Sequence, residues 1–238
     1  QYGGLAVLSV SAPCRSGFQG GGDYTDVAAG PLAISSAADL YLYPNTVYAV
    51  KVTGAQVKSW LEAAAQRFNR IDPAATADQW LISSFPGYNF DMFTTADVQY
   101  QIDVTQPVGS RIVGLQYKGQ PINTAQEFVI ATNNYRATSG KGFLPELDGR
   151  STIYASPDAN RDVVIAYVKA HPQITRAANG AAQSWRFAKT PTAGKVLFTS
   201  AANALPVAQA AGLANISVEK ADDGTGTQRA VYRIDLGQ

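Results

Sequence analysis

The sequence predicts a mixed α/β sandwich, and three observations carry that expectation. Strand-like segments outnumber helical ones, the two kinds are interspersed along the chain, and one long amphipathic helix stands out among them. With 238 residues, 46% of them hydrophobic, the chain has ample material for a packed core. There is no repeat and no long linker, so a single domain over 1–238 is expected, with 190–238 as a C-terminal subelement.

Leu5 to Val10 reads as a short buried strand that delivers Ser11 to Gly17 into a loop, and Gly20-Gly21-Gly22 follows as a mobile connector. No GxxxxGK[ST] order accompanies those glycines, which argues against a phosphate-cradling loop there. Ile34 to Leu40 reads as a short helix, Tyr41 to Asn45 as a turn bent by Pro44, and Tyr48 to Val52 as a strand. Thr53 is the expected N-cap of the clearest helix. Its apolar stripe is Val57, Trp60, Leu61, Ala64, Ala65 and Phe68, with Lys58, Glu62 and Arg67 off the stripe and Asp72-Pro73 as its stop. An aromatic turn at Ser84 to Asp91 precedes strands at Val98 to Val104, Arg111 to Tyr117 and Glu127 to Thr132, with a Lys118-Gly119-Gln120-Pro121 turn between the last two. Ser156-Pro157-Asp158 reads as a helix start, the helix running through Val163, Val164, Tyr167 and Val168, with His171 capping its end. Strands at Ser184 to Phe187 and Val196 to Ser200, a helix near Leu205 to Ala211, and a hairpin of Ile216 to Glu219 with Ala230 to Ile234 complete the chain.

Composition narrows the chemistry. Lys and Arg total 19 against 18 for Asp and Glu, a net charge of +1 that supplies no broad field for a nucleic-acid polymer or an anionic membrane. No apolar run approaches the roughly 18 residues of a membrane span, and the first residues lack the basic start and long apolar core of a signal peptide. A single cysteine, Cys14, allows no internal disulfide. A single histidine, His171, cannot fill the several ligand positions that zinc enzymes and two-metal phosphatases draw on histidine to occupy. Composition leaves an all-carboxylate Mg²⁺ or Ca²⁺ site open, but no EF-hand loop and no tight Asp/Glu cluster is present to form one, so no metal site is expected in this chain.

Glu127 to Phe143 is the junction where a site is expected. Val129, Ile130 and Ala131 read as buried strand, and the chain then runs into a loop with Asn133, Asn134, Tyr135 and Arg136, offering amides, a flat ring and a fixed positive charge. Such a set suits a ligand flat at one end and anionic at the other. An enzyme in its own right would draw on carboxylates such as Asp91 and Asp103, but Asp103 alternates with apolar neighbours in a strand and Asp91 is expected to bond nearby backbone.

The order of motifs resembles the C-terminal domain of the 5′-nucleotidase family, above all that of the bacterial bifunctional 2′,3′-cyclic-nucleotide 2′-phosphodiesterase/3′-nucleotidases. The resemblance is carried by Ala38 to Thr46 (ADLYLYPNT), Val52-Thr53-Gly54, Tyr88 to Asp91 (YNFD), Tyr100 to Pro107 (YQIDVTQP), Ala131 to Ala137 (ATNNYRA), Ser156-Pro157-Asp158 and Ser184-Trp185-Arg186, in order across nearly the whole chain. It implies a four-layer α-β-β-α sandwich with mixed sheets and a base stacked between two rings. Tyr43 matches the first ring and Tyr135 the second, Asn45 matches a contact to the base edge, and Arg15 a cationic contact to the phosphate end. Where the family's second aromatic motif continues into a glycine pair and an acidic residue, this chain has Ser139-Gly140-Lys141. Gly140 completes the expected substrate contacts, and the ribose contacts from Ser139 to Gly142 stay unassigned.

The resemblance further implies that catalysis belongs to an N-terminal metallophosphoesterase domain carrying two divalent metal ions, expected to be absent from this chain. The chain alone is then inactive: the substrate-recognition domain of a periplasmic hydrolase, with nucleosides and mononucleotides, adenine foremost, and that N-terminal domain as its partners. The alternative is a non-catalytic binding or scaffold module that has lost nucleotide binding.

Overall fold

The computed structural model describes residues 2–17, 19–139, 151–180 and 182–238; Gly140 and Lys141 lie outside them. In chain order the elements are β1 (Ala6–Ser11), α1 (Ile34–Leu40), β2 (Thr46–Thr53), α2 (Gly54–Ala64), β3 (Gln79–Trp80), β4 (Met92–Phe93), β5 (Val98–Ile102), β6 (Ile112–Tyr117), β7 (Gln120–Pro121), β8 (Glu127–Asn133), α3 (Asn134–Ser139), β9 (Thr152–Ala159), α4 (Asn160–Ala170), α5 (Arg176–Asn179), β10 (Trp185–Phe187), β11 (Val196–Ala201), α6 (Ala204–Ala210), β12 (Ile216–Lys220) and β13 (Arg229–Ile234). The expected mixed α/β architecture is found. Its strands are shared among three sheets, ordered β4-β1-β8-β2-β9, β10-β5-β6-β7 and β12-β13-β11-β3. All three sheets are mixed, because β1 runs parallel to β8, β10 to β5 and β11 to β3 while the other neighbours are antiparallel.

The core forms where α2 packs on β2 and β6. Val57, Trp60, Leu61 and Ala64 recur at three- and four-residue steps and are all buried, as are Leu8, Val50, Val52, Phe128 and Ile130 from the first sheet and Val98, Ile102 and Ile112 from the second. Thr53 caps α2 as expected: its hydroxyl accepts from the Gln56 N–H, and Gln56 Oε1 accepts from the Thr53 N–H.

Four expectations change. The helix ends at Ala64 and tightens into a 3₁₀ turn over Ala65–Arg67, well short of Asp72-Pro73. The next residues are claimed by neighbouring backbone, with Asn69 N–H bonded to Leu81 O at 2.7 Å and Ile71 N–H to Val104 O at 2.9 Å, while the Arg111 guanidinium caps the carbonyls of Ala65 and Phe68. Glu62 is buried, although it falls off the apolar stripe; its carboxylate accepts the N–H groups of Arg111 and Ile112, both at 2.8 Å, and so fixes the start of β6 on the helix. Ser156-Pro157-Asp158 lies at the end of an edge strand, and α4 begins only at Asn160. The pairing of β2 with β9 jumps from Tyr48↔Ala155 to Thr46↔Ala159, a bulge that absorbs the proline, which has no N–H to give a ladder. Finally, Gly20 to Gly22 is pinned to the β12–β13 connection: Gly21 N–H bonds Thr227 O at 2.6 Å, and a Cβ on Gly21 would sit 1.7 Å from Gln228 O.

Candidate functional site

Two adjoining cavities open where β1 and β8 deliver their C-terminal ends, the usual place for a ligand beside parallel strands. The first, about 310 Å³, is lined by residues that include Val10, Ser11, Tyr43, Thr132, Asn133 and Val164. The second, about 670 Å³, holds Arg15, Arg67 and Arg229, and Cys14, Leu42, Tyr43 and Tyr88 belong to both.

Tyr43 stands on the turn between α1 and β2 with its side chain half exposed. That turn is strapped from three directions. Asn133 donates to Tyr41 Oη at 2.9 Å, Thr46 N–H donates to Asn134 Oδ1 at 3.0 Å, and Arg161 of α4 donates to the carbonyls of Tyr41 and Leu42, each at 3.2 Å. Asn45 joins the strap: its Nδ2 donates to Tyr41 Oη at 3.1 Å, and its carbonyl accepts the Asn160 N–H at 2.9 Å. The bonds from Asn133 and Asn134 tie the turn to the start of α3, and the pairing of Val47 with Asn133 places both at one end of the first sheet.

The polar run after β8 forms a helix where the sequence suggested a loop. Asn133 Oδ1 accepts the Arg136 N–H at 2.9 Å and so serves as the cap of α3. Tyr135, the second residue of α3, is half exposed, and it is not among the residues lining either cavity. Arg136 turns inward. Its Nε and Nη2 both reach Asp91 Oδ1 at 2.6 Å, and Nη2 also donates to Tyr88 O at 2.7 Å. Asp91 is fully buried and accepts the Trp60 indole N–H at 2.8 Å, so it bonds side chains of α2 and α3. Burial raises the Asp91 carboxyl from its ordinary value, opposed by Arg136 and the Trp60 N–H. The charge of Arg136 is therefore spent on holding the Tyr88 turn and α3 together, and it is not the anion contact that the sequence suggested.

Arg15 sits just past β1, with Nη2 3.4 Å from Asp39 Oδ1 and a buried Nε that has no hydrogen-bond partner. Arg67 and Tyr88 escaped the sequence reading, because a helix-face arginine and a turn tyrosine become site residues only through the packing around them. His171 behaves as expected of a helix cap, with Nδ1 2.7 Å from Tyr167 O and its ring stacked on Tyr167. Asp103 holds a local turn, accepting the Thr105 N–H at 2.9 Å and the Thr105 hydroxyl at 2.7 Å. Among the described residues no group of three or more His, Cys, Asp and Glu is placed to hold a metal ion, so these residues do not fit a two-metal centre. Among them, too, no helix is long and apolar enough to cross a membrane.

A family model for the 5′-nucleotidase C-terminal domain matches residues 13–148. The chain is 37% identical over 255 residues to a 2′,3′-cyclic-nucleotide 2′-phosphodiesterase/3′-nucleotidase of Haemophilus influenzae, covering 99% of this chain and 38% of that protein. It is 39% identical over 250 residues to a trifunctional nucleotide phosphoesterase protein of Bacillus subtilis, covering 99% of this chain and 17% of that one. The chain thus spans less than half the length of these relatives. Among solved structures, the 5′-nucleotidase precursor of Thermus thermophilus superposes with a TM-score of 0.56 at 15% identity, covering 76% of this chain and 31% of that one, a likeness of fold.

Proposed function

This chain belongs to the 5′-nucleotidase C-terminal domain family, and from that membership we propose that it is the nucleoside- and nucleotide-recognition domain of a metal-dependent 2′,3′-cyclic-nucleotide 2′-phosphodiesterase/3′-nucleotidase. In this reading 1–238 is one binding domain, and the two divalent ions and the hydrolytic chemistry reside on an N-terminal metallophosphoesterase domain of a periplasmic parent. The chain's own work is to bind and orient the base. Tyr43 and Tyr135 offer the two ring faces, each worth roughly 1–3 kcal/mol of stacking. Asn45 serves the base edge, Arg15 the phosphate end, and Gly140 is a further substrate contact.

The observation that supports this most is the strapped turn. Four side chains from other elements or the turn itself hold Tyr43 at the rim of the cavity, so little ordering entropy remains to be lost when a flat ligand arrives. A second reading, a module that keeps the fold without the ligand, is favoured by the absence of Tyr135 from the lining of either cavity. Adenosine titration followed by tyrosine fluorescence separates the two. A saturable response that weakens by roughly 5- to 150-fold in Tyr43→Ala and in Tyr135→Ala is expected, the span that 1–3 kcal/mol implies. No response, or one indifferent to Tyr135→Ala, favours the empty module.

A further inference from the structure

Two apolar cavities meet in the C-terminal part of the chain, and neither shares a lining residue with the cavity of about 310 Å³ at Tyr43. One, about 610 Å³, is walled by Phe68, Trp185 and Phe187 and by Phe198, Ile216 and Ile234. The other, about 380 Å³, runs on between α6 and the third sheet. Phe198, Ala211, Leu213 and Ile216 line both, so the two join into one elongated trough. Packing explains the space. α6 lies over β12, yet none of its residues is buried, because the side chains turned to the cavity at three- and four-residue steps, Ala204, Ala208 and Ala211, are too short to fill the distance to the sheet. The aromatic walls are held by their own contacts: Phe187 meets Phe68 and Trp185 edge-on, with ring centroids 4.9 and 5.3 Å apart, and Phe198 stacks on Tyr232. Charge differs between the two ends. Arg186 and Lys189 line the 610 Å³ cavity, no aspartate or glutamate does, and neither cation has an ion-pair partner among the described residues. The Ala188 N–H still bonds Ile102 O, so extended chain continues past β10 and its two-residue period puts Lys189 on the side of Trp185 and Phe187. At the other end the charged lining residue is Asp26.

We propose that this trough binds a long-chain fatty acid, with the acyl chain lying along Phe198 and beneath α6 and the carboxylate meeting Lys189. Each cavity falls in the range of small-molecule sites, ~300–1,000 Å³. Shape selects a chain, since a flat ring system fits one cavity, whereas a narrow flexible ligand passes Phe198 and Leu213 from one to the other. Charge selects the head group and its direction: a carboxylate is attracted at the Lys189 mouth and repelled at Asp26, so the methyl end lies toward Asp26. The inference does not depend on the nucleoside reading.

The test is titration of the 238-residue chain with hexadecanoate below its micellar range, followed by tryptophan fluorescence, since Trp185 stands in the wall. Saturable one-site binding is expected, weakening by up to about fourfold for each methylene removed toward octanoate. Hexadecanol keeps the chain without the charge and should bind about two- to fivefold more weakly; Lys189→Gln should weaken hexadecanoate by a similar factor and leave hexadecanol unchanged. Ala211→Phe, which puts a ring where the cavities join, should cut hexadecanoate binding at least tenfold, and Ala208→Phe, one turn back on α6, is a second blocking variant read in the same way. No saturable binding by the wild-type chain, or an affinity indifferent to chain length, overturns the proposal without any variant having to fold. Full affinity in a folded blocking variant overturns it as well. Hexadecanol bound as tightly as hexadecanoate, with Lys189→Gln silent, overturns the carboxylate contact. Vesicle binding or self-association that alters the tryptophan signal, with no response to monomeric hexadecanoate, assigns the trough to a membrane or a second copy and overturns it too.

Discussion

Replacing Asp91 with alanine should be among the most damaging single changes in the chain, and the structure sets the scale. The carboxylate is fully buried, takes Arg136 at 2.6 Å through two nitrogens and the Trp60 N–H at 2.8 Å, and faces a guanidinium whose side chain is 9% exposed. Removing one side of such a pair leaves its partner's charge in the interior, a cost of ~3–5 kcal/mol, with the orphaned indole N–H adding to it. A domain's whole stability is about 5–15 kcal/mol, so Asp91→Ala should leave the chain marginal. Urea unfolding followed by tryptophan fluorescence measures the loss, and the double variant Asp91→Leu/Arg136→Met closes a thermodynamic cycle. The double variant should be clearly less damaged than the sum of its single changes, because an apolar pair of similar volume carries no orphaned charge. A loss below ~1 kcal/mol for Asp91→Ala, or strict additivity in the cycle, would refute the reasoning. The same variant should weaken adenosine binding in whatever fraction stays folded, since Arg136 joins the Tyr88 turn to the helix that carries Tyr135.

Two further outcomes follow from buried and turn-forming carboxylates. Glu62→Ala should cost about 2–3 kcal/mol in denaturant unfolding, because the N–H groups of Arg111 and Ile112 lose their acceptor inside the core; Glu62→Gln should also destabilise, since an amide offers one acceptor oxygen where the carboxylate offers two. For Asp103, burial alone would raise the carboxyl, but hydrogen bonds from Thr105 and Gln106 outweigh it and hold the group below its ordinary 3.8. A depressed folded value means stabilisation present above pH 3.8 and lost as the pH falls through that lower value, so Asp103→Asn should flatten the acid limb of a stability profile measured by circular dichroism.

Local pattern made most of the strands and helices legible. The stripe of α2, its Thr53 cap, the Ile34–Leu40 helix and the β12–β13 hairpin all follow from periodicity and cap or turn chemistry, which act within a few residues. The errors fall where a distant partner overrode the local signal. Arg111, more than forty residues further along, caps carbonyls at the end of α2, and Glu62 is drawn inside by the backbone of β6. At Pro157 a neighbouring strand accommodates the missing donor, which lets extended chain persist where a helix start was read.

The sequence by itself determined the mixed α/β class, the family through ordered motifs such as ADLYLYPNT and ATNNYRA, and the set of residue types available to a site. Only the tertiary structure decided which charges remain to meet a ligand. Arg136 and Arg67 both follow an aromatic or polar neighbour, yet one is neutralised by Asp91 from a turn far away and the other donates to the backbone carbonyls of Ser83 and Phe85 and has no carboxylate partner among the described residues. The reason is physical: a charge is settled by whatever the fold brings within a few ångströms, and that partner lies at no fixed distance along the chain.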